Sequence, residues 1–238
     1  MREAAERIGS KKVRRAVALA KQTAPGLPVE TELVLGTAAP VLRKLSEQAC
    51  LIVVGSRGLG GFTGLIAGSV AVALAAHAHC PVVVVRGKEP DPDAPIVVGV
   101  DGSEASEAAV ALAFDEAAVR RCGLVAVHSW SDIAFPYIPE PGWPVPIDWG
   151  PVIARENELL SERLAGWQEK YPDVAVEQIV AQDRPARALL DAARDRDARL
   201  IVVGSRGRGG FTGLALGSVS QAMIHHATCP VLIARHER

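Results

Sequence analysis

The sequence predicts an α/β fold, an open and mainly parallel sheet with helices on both faces, and it predicts that fold in duplicate. Three observations carry this. Short apolar runs, such as residues 96–100 and 200–203, alternate along the chain with longer stretches of helical spacing, the pattern of βαβ units. A glycine-rich stretch, GSRGRGGFTGLALGSVS at 204–220, links one such run to a helix-like segment. That stretch has an earlier copy, GSRGLGGFTGLIAGSV at 55–70, and the offset from Gly55 to Gly204 is 149 positions, as it is from Cys80 to Cys229. A period of a whole domain length is a duplication rather than a short repeat array.

The elements follow in order. Residues 1–21 mix charges with Ala, Ile, Val and Leu at helical spacing, and Pro25, Gly26 and Pro28 end that helix. Residues 29–35 alternate apolar and polar side chains, which predicts a strand. A short helix is expected over 41–49, a buried strand over 51–54, a helix over 70–78 and a wholly apolar strand over 82–85. Apolar periodicity then stops in the Pro-rich segment 87–95, which reads as a linker between an incomplete domain, 1–86, and a complete one, 96–238. The second domain opens on a strand over 96–100 and the turn Asp101-Gly102-Ser103, with Ser103 placed to cap a helix reaching about Arg121. Strands are expected over 124–128, 174–180, 200–203 and 231–234, and helices over 153–170, 185–196 and 219–227. A long Pro-rich loop, 129–151, holds Trp130, Trp143 and Trp149; it reads as a lid, a partner surface or a cover for the domain junction.

Composition narrows the function. Lys and Arg number 26 against 27 Asp and Glu, a net charge of −1, which argues against a nucleic-acid binder held by a basic surface. Aromatics are 4% of the chain, too few for a base-stacking platform. The four cysteines share no disulfide-like spacing, the N-terminal stretch has no apolar core, and no run approaches a membrane span, so a reducing cytoplasm is the expected setting.

The chemistry concentrates at 204–220. Glycines let a ligand approach the main chain, and a strand, a glycine-rich loop and a helix start together offer free N–H groups and the positive end of a helix dipole. Phosphate is the natural guest. In a parallel sheet ligands sit beyond the carboxyl ends of the strands, so Asp101 and this loop are expected on one edge. Asp101 also suits a turn and cap, but its place at a strand end beside the loop favours a ligand role, and Arg206 can face phosphate or solvent. His77, His79, Cys80 and His225, His226, Cys229 look like metal ligands, but the repeat preserves only one histidine and the cysteine, so they read as a helix-to-strand junction. There is no G-x-x-x-x-G-K-[ST], no G-x-G-x-x-G opening a helix, no HEXXH and no G-x-S-x-G.

Gly204-x2-Gly207-x9-Gly217-Ser218 resembles the ATP-binding signature of universal stress proteins, and 98–103 (VGVDGS) and Cys229-Pro230-Val231 extend the match. The resemblance covers 96–238 from end to end and the first domain only as the later part of such a unit. It implies strand order 3-2-1-4-5. It implies that Asp101 approaches ribose and adenine with main-chain help from Gly99 and Val100, and that the main chain near Ser129 reads the adenine edge. Gly204, Arg206, Gly207, Gly217, Ser218 and Val219 would wrap the phosphates and ribose of ATP. Mg²⁺ is an expected companion of that ATP. It also implies that the last strands, 82–85 and 231–234, associate antiparallel, either as a pseudo-dimer of the two halves or between subunits of a homodimer.

The offset has a consequence. Asp101 minus 149 falls before Met1, so the counterparts of the first strand, first helix and second strand lie outside the 238 residues. In the order 3-2-1-4-5 the segment 29–35 then lacks its neighbour and must pair elsewhere or stand exposed. The loop at 55–69 is expected to be an incomplete nucleotide site, and either the true start lies upstream or the first half is a remnant kept for contact with the second. No residue stands out as a base poised to activate water, so the leading expectation is a stress-response regulator that works by binding, with weak hydrolysis at most. The alternatives are a scaffold of the same fold without nucleotide, and an adenylyl transferase, which would need a His pair or a Ser-Gly-Gly loop that 99–103 does not supply.

Overall fold

A computed structural model of the chain describes residues 2–56, 67–130, 148–208 and 215–235. The chain divides into two compact units, residues 1–41 and 42–238. The expectations for Trp143 and for most of the two glycine-rich loops, 57–66 and 209–214, lie outside the described residues.

In the first unit, helix α1 (Arg2–Thr23) forms as its spacing predicts. Ala24 continues its hydrogen bonding to Ala20, and Gly26 turns the chain at φ 94°. Residues 29–35 form no strand. Alternation marks a strand only where a neighbour takes up its backbone groups, and Leu33, Val34 and Leu35 are exposed instead. Leu33 lies against α1 at Gly9, where an added β-carbon would come within 2.6 Å of its Cδ1. Helix α2 (Ala38–Leu45) follows, three residues earlier than its pattern suggested.

The second unit is one sheet of seven strands: β1 (Ile52–Gly55), β2 (Val82–Val85), β3 (Ile96–Gly99), β4 (Leu124–Trp130), β5 (Val176–Gln182), β6 (Leu200–Gly204) and β7 (Val231–Ala234). Their order is β1-β2-β7-β6-β3-β4-β5. Numbered from β3, the last five strands run 3-2-1-4-5, as the resemblance implied. All neighbours are parallel except β2 and β7, which pair antiparallel with Val83 opposite Leu232. The last strands of the two copies therefore do meet, inside one chain, and the sheet runs unbroken through the junction.

Helices α3 (Ser69–His77), α6 (Pro185–Asp195) and α7 (Ser218–His226) cover one face of this sheet, and α4 (Glu104–Arg120) and α5 (Gly150–Lys170) the other. Alternation along each strand divides the core. In β3, Val97 faces the first layer while Ile96 and Val98 face the second. In β7, Val231 and Ile233 face the first and Leu232 and Ala234 the second. Each aliphatic side chain buried this fully contributes about 1.5–3 kcal/mol. Phe114 of α4 stacks on Trp167 and Tyr171 at 6.0 and 5.7 Å, which ties α4 to the end of α5.

Helix α4 starts and stops by recognisable devices. Ser103 accepts a hydrogen bond from the Ser106 N–H, and Glu104 and Glu107 sit at the positive end of the helix dipole. At the other end Arg121 adopts a left-handed conformation at φ 53°, and the Cys122 N–H returns to the Ala117 carbonyl. This places the Asp101 turn at the carboxyl end of β3, beside the end of β6.

Candidate functional site

β3 and β6 are neighbours, so the turn after one and the loop after the other meet. Asp101 organises the meeting. Its Oδ1 accepts from the Ser103 N–H at 2.9 Å and the Ser103 hydroxyl at 2.7 Å, and its Oδ2 accepts from the Arg208 N–H at 3.2 Å. The Asp101 N–H in turn donates to Ser106 Oγ at 3.0 Å. A carboxylate offers about four acceptor positions. The described residues take three, which leaves one on Oδ2, the oxygen that faces the loop.

Glycines let the loop come this close. A β-carbon on Gly207 would stand 2.5 Å from Asp101 Oδ2, and one on Gly204 would stand 2.7 Å from the Ala105 carbonyl oxygen at the start of α4. Gly102, at φ 73°, lies under the guanidinium groups of Arg208 and Arg163. The loop's far end is fastened too. The Gly217 N–H donates to the Ser205 carbonyl at 2.8 Å, and the buried Ser220 hydroxyl donates to the Gly204 carbonyl at 2.6 Å. These bonds set the first turn of α7 against the end of β6. The N–H groups of Ser218 and Val219 stand in that first turn, where a helix offers them no partner.

Other expected residues have more specific neighbours than the sequence showed. Gly99 ends β3 and packs against Leu189; its carbonyl lies 3.4 Å from Ser106 Oγ. The Val100 N–H donates to the Val127 carbonyl, and its own carbonyl meets a ring nitrogen of His128, so its main chain is held on both sides. Ser129 lies in β4, paired with Ala181, and its hydroxyl donates to the Asp183 carbonyl, leaving its main chain on the sheet's carboxyl edge. Arg206 and Gly207 line an open pocket of about 810 Å³ that also takes in Ser103, Glu104 and Ala105.

Three contributors were missed. His128 is buried, with Nδ1 2.7 Å from the Val100 carbonyl and Nε2 2.8 Å from Glu156. It braces the strand end that carries Asp101. A histidine inside the apolar run 124–130 was the available signal. Arg208 and Ser220 were visible only by laying the copies side by side: Leu59 and Ala71 stand at their positions in the first copy. Trp130 and Trp149, 5.4 Å apart, bring the two ends of the long loop together.

The model of the universal stress protein family matches this chain twice, over residues 1–86 and 94–235. The chain belongs to the universal stress protein family. The universal stress protein Rv2623 of Mycobacterium tuberculosis is 47% identical over 211 residues, covering 87% of this chain and 68% of that protein. Another universal stress protein of the same bacterium, Rv2005c, is 45% identical over 234 residues, 95% of this chain and 77% of its own length. A universal stress protein from Archaeoglobus fulgidus shares the fold with a TM-score of 0.64 at 21% identity, over 96% of this chain and 77% of that one. Both copies of the universal stress protein sequence thus lie in this chain, and their last strands are the pair that joins the sheet.

Proposed function

We propose that this universal stress protein binds ATP at the carboxyl edge of β3 and β6 and acts in the cytoplasm as a stress-response regulator through binding rather than turnover. One observation carries the reading. The open acceptor position of Asp101, the bare surface of Gly207 and the first-turn amides of α7 flank the same corner, and each suits a different part of an adenylate. A ribose hydroxyl donates to Asp101 Oδ2. The phosphates take the amides of Ser218 and Val219 and the guanidinium of Arg206. The main chain at Ser129 meets the adenine edge, with Gly99 and Val100 behind the sugar. Each hydrogen bond to a charged group contributes about 1.5–3 kcal/mol. An Mg²⁺ ion would accompany the nucleotide and offset part of its phosphate charge.

A second reading has its own observation. Asp101 already braces Ser103 and Arg208, so it could serve as a turn brace in a scaffold that holds no nucleotide. Denaturing the purified protein and analysing the supernatant for adenine nucleotide separates the two. Titration of ATP into wild type, Asp101→Ala and Gly207→Ala then places the site: equal affinity in all three would move it elsewhere.

A further inference from the structure

We infer that residues 42–86, which carry no Asp101 counterpart, supply the outer wall of a polyphosphate pocket that belongs to the second copy's site. The inference rests on the nucleotide reading above and names which part of that ligand the first copy holds.

The pocket of about 810 Å³ beside Gly207 is lined from one side by Arg206 and Arg235, and from the other by Arg43, His77 and His79. Glu104 is the one acid among its described lining residues. Three arginines thus line it against one acid before either histidine is counted, and His79 Nε2 lies 3.9 Å from Glu47 outside that lining. That excess of positive charge, in a cavity of ligand size, suits a polyanion.

The topology explains how the first copy reaches this place. β2 runs antiparallel to β7, with Val82 opposite Ile233. The residues just before β2 therefore lie beside the carboxyl end of β7, which Arg235 follows. Ser46, buried, fixes both outer groups: it donates to the Arg43 carbonyl and accepts from the His79 N–H at 2.8 Å. One hydroxyl thus holds the backbone of α2's last turn against the junction of α3 and β2. Arg235 is steadied from the same side, its Nη2 donating to the Ala75 carbonyl at 2.6 Å.

Gly207 is the link to the adenylate site. Its bare Cα abuts Asp101 on one side and lines the pocket on the other. A nucleotide whose sugar is held at Asp101 reaches the pocket, past Gly207, with its phosphates. The base and sugar then belong to the second copy and the outer phosphates to both. The protein distinguishes ATP from AMP through the first copy.

The test is calorimetric titration of the full chain with ATP, AMP and inorganic tripolyphosphate, using wild type, Arg43→Ala/His77→Ala/His79→Ala and Lys44→Ala. All three substituted wall residues are exposed, and Lys44 lies on α2 but does not line the pocket. The triple variant is expected to weaken ATP and tripolyphosphate binding at least about tenfold and to leave AMP unchanged, with Lys44→Ala like wild type. If the triple variant keeps both the wild-type ATP-to-AMP ratio and wild-type tripolyphosphate binding, the pocket reading is overturned while the nucleotide reading stands. Tripolyphosphate binding lost in the triple variant, with no adenylate bound by wild type, upholds the pocket and removes the nucleotide. A wild type that binds none of the three overturns both.

Discussion

Gly207 and Asp101 touch so closely that no side chain fits between them: a β-carbon on the glycine would lie 2.5 Å from Asp101 Oδ2. The aspartate cannot swing aside freely. Its other oxygen is held twice by Ser103, and Oδ2 itself takes the Arg208 N–H. The glycine and the carboxylate are thus one unit, and it decides whether the loop after β6 can lie against the turn after β3.

Gly207→Ala is therefore expected to act on the site far more than on the fold. The residue is exposed and its backbone angle is not of the left-handed kind, so alanine has no conformational penalty there. The new methyl instead pushes the Asp101 carboxylate off the Arg208 N–H. ATP affinity should fall at least about tenfold, with the urea midpoint almost unchanged. A variant that binds ATP like wild type would show that the carboxylate plays no part in holding the sugar.

Ser220→Ala is the complementary case. Its buried hydroxyl fastens the start of α7 to the Gly204 carbonyl, and removing one such bond costs about 0.5–1.5 kcal/mol. For a domain of this size that is a fall in Tm of roughly 1–6 °C. Ala71 at the same place in the first copy shows that the packing accepts a methyl there. ATP binding should weaken as well, since the amides of Ser218 and Val219 are no longer set against β6. Differential scanning calorimetry and titration on one preparation read both effects.

The sequence made most of this legible, for reasons particular residues show. Ser103 was readable as a cap because a hydroxyl just before a helix has one good use, and it caps α4. The pairing of β2 with β7 was what the resemblance implied, and the duplication put the two apolar strands at equivalent places. The segment 29–35 misled because alternation records which side chains would face a core, not whether a neighbour exists to pair with; Leu33 and Leu35 are exposed. His128 was hidden by its company, since a histidine within Leu-Val-Ala-Val reads as part of a core until the Val100 carbonyl and Glu156 appear on either side. Arg208 and Ser220 carried a signal that only the difference between the copies reveals.

Arg86 offers a test of the junction alone. It and Arg235 are 149 positions apart, and each reaches across to a helix of the other copy. Arg86 donates to the carbonyls of Ile224 and His225 at the end of α7, and Arg235 to that of Ala75 near the end of α3. A cation at a helix C-terminus meets the negative end of the dipole as well as unpaired carbonyls. Arg86→Ala should lower stability by about 1.5–3 kcal/mol in urea unfolding, while ATP affinity holds, because Arg86 is not among the residues lining the pocket. Unchanged stability would mean that the Arg86 bonds add nothing to the strand pairing, the shared core and the Arg235 bond that also join the two copies.

The cysteines supply a prediction with a definite sign in pH. Cys50 is exposed, whereas Cys80, Cys122 and Cys229 are buried. At pH 8 a thiol reagent should modify one cysteine quickly and the others only as the chain unfolds. Burial pushes the Cys229 thiol from its ordinary 9.0 up to about 11. Between those values the unfolded chain gives up a proton that the folded chain keeps, so the folded state binds more protons and stability falls as pH rises. The contribution is present in full below pH 9 and is lost on the way to about pH 11; a shift of this size corresponds to at most roughly 3 kcal/mol. Urea unfolding at pH 8 and pH 10.5 should show wild type losing more stability between the two than Cys229→Ala does. Equal losses would mean that water reaches the thiol at the start of β7, and that the core beneath the strand junction is looser than its packing indicates.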